Sequence, residues 1–216
     1  MTPDDLLEAV REAKATELSR LGSSKALYAA TAGEIEADRV LQAAATAERA
    51  AAETFDAWAD DEANEAAAAA FRATAEEEHD HFERVREELD EDGDEEPADE
   101  DGEDLPALAA HLRGIDDTVA RAGALLGRIL VADESKSQYI GYFVGDADPQ
   151  TASVFRDLRG DLDGQQERAL DLLETVCDDD GDWERAESAA LDAIDAAYEA
   201  QVEALESLGV NPKPVC

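Results

Sequence analysis

Two glutamates and a histidine stand where apolar residues belong. Ala37, Leu41, Ala45, Ala52, Phe55 and Ala59 recur at three- and four-residue steps, the mark of one buried helical stripe, and Glu48 falls in its middle. Phe71, Ala75, Phe82, Val85 and Leu89 form a second stripe in which Glu78 takes an apolar slot, with His81 three residues on at the edge of the same face. A carboxylate in such a stripe is costly to bury unless it is paired, protonated or bound to a cation. Residues three apart share a helix face, so Glu78 and His81 can reach one ion. A Glu-x-x-His helix facing a Glu on its neighbour is how helical bundles build carboxylate-bridged di-iron or di-manganese centres. Imidazole with carboxylate suits iron or manganese and also binds zinc. Glu76 and His79 share the spacing, but Glu76 lies far round the helix from the stripe. The alternative without metal has Glu48 and Glu78 flanking Arg49 or other surface cations at a stripe edge, with His81 exposed.

These residues must be held by helices, and the sequence predicts an all-α chain with no strand. Thr2-Pro3-Asp4-Asp5 reads as an N-cap, a first-turn proline and helpful acids, opening a helix to about Leu21. A short helical piece over residues 25–32 ends at Gly33. The two striped arms follow, from about Glu34 to Ala59 and onward to Leu89, joined by an acidic turn. Residues 90–104, DEDGDEEPADEDGED, read as a solvated linker. At about 3.3 Å per residue its fifteen residues span roughly 50 Å, enough for a crossover along a bundle. A third long helix runs through Leu112, Ile115, Val119, Leu126, Ile129 and Ile140 to near Gly145. Asp148-Pro149 opens a fourth, with Phe155, Leu158, Leu162, Ala169 and Leu173 inward, and Asp182 caps a last one. The expected organisation is an N-terminal extension (1–33), a first hairpin (34–89), the linker (90–104), a second hairpin (105–177) and a C-terminal helix with tail (178–216).

A worn repeat links the halves: FRATAEEEHDHFER, residues 71–84, lies without gaps over FRDLRGDLDGQQER, residues 155–168. Leu162 then stands where Glu78 does, and Gln165 where His81 does. Asp133, in phase with its stripe, or the adjacent Glu134 is the candidate for a further metal ligand, and Asp161 or Asp163 qualifies only after a helix rotation.

The formal net charge is −38, from 56 acidic and 18 basic residues, and only four of the basic residues are lysines. Such imbalance often marks disorder, but a 44% hydrophobic fraction and strong periodicity exclude that for most of the chain. Acids covering an ordered protein point to life in molar salt, where self-repulsion is screened. With no basic stripe, nucleic acid is not an expected partner. No apolar run approaches the roughly 18 residues of a membrane span, and MTPDDLLEAV has no signal-peptide pattern, so a cytoplasmic protein is expected. Cys177 and Cys216 form no CxxC pair, which argues against structural zinc or a rubredoxin-type iron centre.

The first hairpin resembles the ferritin-like superfamily and, within it, the rubrerythrin-like family in its haloarchaeal form without a rubredoxin domain. AERAAAETFDAWAD is similar to that family's first ligand helix and AAAAFRATAEEEHDHF to its Glu-x-x-His helix. The resemblance implies a ferritin-like four-helix bundle with a long central crossover, plus extra N- and C-terminal helices. It implies metal ligation by Glu48, Glu78 and His81, with iron as the cofactor, reactivity towards peroxide or oxygen, and an external electron donor. A homodimer is the other expected partner. Leu162 and Gln165 depart from the family's second ligand set, so the expectation is one metal or none. With none, the chain is a non-catalytic bundle serving a structural, dimerisation or regulatory role.

Overall fold

The computed structural model describes residues 1–89 and 105–212, so the acidic stretch 90–104 and Cys216 lie outside the described residues. Everything regular among the described residues is helical: α1 (Pro3–Ala13), α2 (Ala15–Leu21), α3 (Ser24–Ala30), α4 (Ala37–Asp61), α5 (Glu65–Arg86), α6 (Ala107–Arg113), α7 (Thr118–Gly145), α8 (Pro149–Val176) and α9 (Asp180–Ser207). None of these helices is long and apolar enough to cross a membrane.

Local chemistry sets the helix ends. Thr2 and Asp5 form a reciprocal capping box ahead of Pro3. Asn64 accepts from the backbone of Ala66 and Ala67, closing the short turn that folds α5 back onto α4. Asp148 does the same for α8 ahead of Pro149. The sequence places the last cap at Asp182, but Asp179 provides it by accepting from the Asp182 amide. Two expected continuous helices are broken. The first turns at Lys14, whose ammonium leaves the helix line to bind Asp195 of α9 at 2.5 Å. The third is cut at Gly114, where the chain leaves α6 and restarts at the Asp117 cap of α7.

The helices pair as α4 with α5 and α7 with α8, while α5 lies against α8 and α9 runs along α7. Helix α7 is buried all round from Arg121 to Ala132, as expected of a helix covered on several sides. Gly123 and Gly127 let it approach α9 closely, since a Cβ on either would collide with the backbone at Ala186 or Ala190.

The worn repeat has a structural counterpart. Arg84 of α5 reaches Asp161 of α8 at 3.4 Å, and Arg168 of α8 reaches Glu77 of α5 at 2.5 Å. In the gapless overlay Arg84 matches Arg168 and Glu77 matches Asp161, so equivalent residues make reciprocal bonds across one helix pair.

The apolar core falls into two clusters. One gathers Phe55, Trp58, Phe71, Leu125 and Leu162, and the other Leu41, Val85, Tyr139, Phe143 and Phe155. Along α4 the division lies between Ala45 and Ala51, along α5 between Ala75 and Val85, and along α7 between Ala132 and Tyr139. Polar residues fill that gap.

Candidate functional site

The layer between the clusters contains Glu48 from α4, Glu78 and His81 from α5, Arg128 and Lys136 from α7, and Gln165 from α8, all buried. One ligand atom from each of Glu48, Glu78 and His81 lies within 4.8 Å of the other two, so by distance the three could hold a metal ion. The helical stripes achieve this convergence, and Glu76 and His79 stay exposed as their phase requires. His79 instead contacts Asp56 at 2.8 Å on the surface.

The carboxylates are already engaged. Arg128 donates from its two terminal nitrogens to the two oxygens of Glu78, at 2.6 and 2.7 Å, a bidentate charge-assisted pair. Gln165 Nε2 donates to the same Glu78 Oε1 at 2.7 Å, and Arg128 approaches the Gln165 carbonyl oxygen at 3.4 Å. Lys136 Nζ donates to Glu48 Oε1 at 2.6 Å. Arg128 also lies 3.6 Å from Glu48 Oε2 and 5.8 Å from the centroid of the Phe55 ring, so its guanidinium is enclosed by carboxylates and an aromatic face.

Two atoms are left over. Glu48 Oε2 and His81 Nδ1 are buried without a hydrogen-bond partner. They lie 3.7 Å apart, and His81 Nδ1 is equally far from Glu78 Oε2. The other imidazole nitrogen, Nε2, lies 3.3 Å from Asp161, whose carboxylate enters from the exposed edge of α8 without any helix rotation.

Electrostatics follow from these contacts. Burial pushes the Glu78 carboxyl up, but the Arg128 guanidinium, His81 and Lys136 together outweigh it and hold the group well below the usual carboxylate range. Burial pulls His81 down, yet Glu48 and Glu78 prevail and raise it from 6.5 to about 9. Burial likewise opposes the charge on Arg128, and Glu78 and Glu48 overcome it.

No protein-family model, curated protein or solved structure matches this chain. The reading of the site therefore rests on its own geometry.

The remaining sequence candidates lie elsewhere. Asp133 forms a forked ion pair with Arg159 of α8 at 2.7 and 3.1 Å on the rim, outside the Glu48, Glu78 and His81 group. Glu134 lies beside Gly22 of the N-terminal segment, its carboxyl raised by burial and by Asp133. His111 is half-buried near the end of α6. Cys177 is half-buried and its thiol is pushed up to about 11, mainly by burial, which keeps it from acting as a thiolate at neutral pH.

Sequence reasoning missed Arg128 and Lys136 and read Gln165 only as a lost ligand. A weaker signal was present: Arg128 and Lys136 are bases on the apolar helix α7, and Lys136 is among only four lysines in the chain. Acids in the stripes of one hairpin call for bases in the stripes of the other.

Donor chemistry alone suits an ion such as iron, manganese or zinc, and the Asp161–His81 contact resembles the outer-shell carboxylate that orients metal-binding histidines. Charge balance does not suit it. Two carboxylates face two fixed cations, and a divalent ion would add two positive charges against only the half-exposed carboxylate of Asp161.

Proposed function

We propose that this chain is a ferritin-like four-helix bundle, of rubrerythrin-like ancestry, in which Arg128 and Lys136 supply the positive charge that metal ions supply in a carboxylate-bridged centre. It then works as a non-catalytic structural, dimer-forming or regulatory module rather than as an oxidoreductase. The observation carrying this reading is the fork of Arg128 on Glu78, which takes both carboxylate oxygens a metal would need. Lys136 on Glu48 supports it, because each acid then has its own base within the fold. The reciprocal Arg84–Asp161 and Arg168–Glu77 bonds support the two-hairpin ancestry that a ferritin-like bundle requires.

A second reading has one specific observation behind it. His81 Nδ1 and Glu48 Oε2 are buried and unpartnered, and a single ion between them and Glu78 would satisfy both. Iron would then be the first candidate, with peroxide or oxygen as the substrate class and an external protein as the electron donor. This reading requires Arg128 and Lys136 to leave the carboxylates.

Metal analysis separates the two. Protein purified in high salt and reconstituted anaerobically with ferrous ion is expected to retain well under one ion per chain, with a melting midpoint unchanged by chelator. One or two tightly held ions, with stability lost on chelation and an oxo-bridge absorption where two bind, would overturn the proposal.

A further inference from the structure

The short helix α3 is lightly held. Its seven residues are too few for a helix that stands by itself, and only Leu27 among them is buried. No side chain caps its start, because Ser23 Oγ donates to the Arg20 carbonyl at 2.6 Å instead. Its first turn carries Lys25, the wrong sign for a helix N-terminus, and its last turn carries no base. Lys25 Nζ donates to the Asn211 carbonyl at 2.7 Å, and Gln138 of α7 holds the Gly22 carbonyl just before the helix begins.

The far end of α3 is strained. The Gly33 amide donates to the Tyr28 carbonyl at 2.8 Å, the closure that normally places glycine one residue earlier in the left-handed region. Ala32 stands there instead, at φ +50°, and Gly33 follows at φ +89°. An L side chain at that φ penalises the closed arrangement and not an extended one.

Beneath α3 the packing is incomplete. Ala26, Ala29 and Ala30 line a cavity of about 360 Å³ together with Glu48 of α4 and Ser135, Lys136 and Tyr139 of α7. Ala26 and Ala29 stay half-buried, so α3 commits little apolar surface to the body of the protein. Segments with few buried apolar contacts are the ones that open locally. The Lys136–Glu48 pair behind the cavity is buried.

We propose that α3 is a gate over the charged layer. It swings out about Ala32 and Gly33 while the long helices stay packed, and its opening admits water and small solutes to Lys136 and Glu48. Leu27 is the side chain that holds it shut. The gate is independent of what the layer holds, so it stands or falls apart from the metal analysis.

Two readings of the full chain in high salt test this: amide hydrogen exchange, and single-hit acylation of Lys136 by a small amine-reactive ester, located by peptide mass mapping. Leu27→Ala is expected to speed both α3 exchange and Lys136 acylation by roughly tenfold or more, with exchange in α7 and α8 unchanged. Ala32→Gly, which relieves the closed form, is expected to slow both by about fivefold. Gly127→Ala loosens the contact of α7 with α9 and not α3, so Lys136 acylation is expected to stay within about twofold of wild type. Acylation that ignores both α3 variants, or that rises as much in Gly127→Ala as in Leu27→Ala, would overturn the proposal. So would Leu27→Ala speeding α7 exchange as much as α3 exchange, because the chain would then open as a whole.

Discussion

Arg128 grips Glu78 with two parallel hydrogen bonds of 2.6 and 2.7 Å in a place where neither side chain meets appreciable solvent. Gln165 completes the arrangement by donating to one of the same oxygens. A buried pair of this kind adds little net stability over an apolar pair of similar volume, because both charges must be stripped of water. Breaking it is another matter.

Arg128→Met is expected to destabilise the protein by about 3–5 kcal/mol, since Glu78 would be left charged and half-satisfied in the core. Glu78→Leu should cost a similar amount by stranding the guanidinium. Combining them should recover most of the loss, so a double-mutant cycle from denaturant melts in high salt would show strong coupling. Singles that cost under about 1 kcal/mol and simply add would mean that water reaches the layer.

Removing the internal cations should create a metal site. With Arg128→Ala and Lys136→Ala together, the two carboxylates of Glu48 and Glu78 are offset only by the proton on His81, which a bound metal ion would displace. Zinc or ferrous titration of the double variant is expected to show a site at least 100-fold tighter than wild type, and metal should raise its melting midpoint. Equal affinity in both proteins would show that the cations do not control the site.

The charge state of His81 gives a pH dependence of defined sign. Its folded pKa, about 9, lies above its ordinary value of 6.5. The protonated imidazole therefore contributes stability that is fully present below about pH 6.5 and is lost as pH rises through 9. The contribution is at most about 3 kcal/mol. Glu78 works in the opposite direction, its stabilisation present above its ordinary range and lost only in acid. Melting midpoints between pH 6 and 10 are expected to fall for wild type and to flatten in His81→Gln. A slope untouched by that substitution would assign the effect to other groups.

The sequence disclosed the acids of the core more readily than the bases. Glu48 and Glu78 interrupt clean stripes on helices with one exposed face, so their phase reveals their direction. Helix α7 is buried all round from Arg121 to Ala132, and a stripe with no polar side gives no phase from which to place Arg128. Arginine is also usually a surface residue, so its partner has to be known first. Gln165 was visible through the repeat as the counterpart of His81, but its bond to Glu78 depends on how close α5 comes to α8, which no local pattern encodes. The all-helical class followed from periodicity alone, whereas the break at Gly114 did not, because the apolar spacing runs on across it from Leu112 to Val119.

The contact between α7 and α9 should be intolerant of a single methyl group. Alanine is normally the better helix former, and an exposed Gly→Ala exchange stabilises a helix. At Gly127 the added Cβ would press on the Ala190 carbonyl, and at Gly123 on that of Ala186, where backbone cannot yield as a side chain can. Gly127→Ala is therefore expected to destabilise by about 1–3 kcal/mol, against the helix-propensity trend. Gly160→Ala in α8, whose Cβ would meet nothing within 4 Å, should be neutral or stabilising, which isolates packing as the cause.

Salt should decide whether this protein is folded at all. A net charge of −38 on 216 residues means that acids repel one another over most of the surface. Exposed pairs such as Arg86–Glu83 and Arg185–Asp182 are too few and too weak to offset it. Screening falls from about 10 Å at 0.1 M salt to about 3 Å at 1 M, so most of that repulsion disappears only in concentrated salt. Dialysis into dilute buffer is expected to erase the helical circular-dichroism signal, and returning salt should restore it. Chloride and sulfate salts compared at equal ionic strength then separate two causes. Charge screening predicts the same recovery in both, whereas exclusion of salt from apolar surface predicts that sulfate acts at lower concentration. A full helical signal in dilute buffer would mean that the core, including its internally paired charges, withstands the surface repulsion unaided.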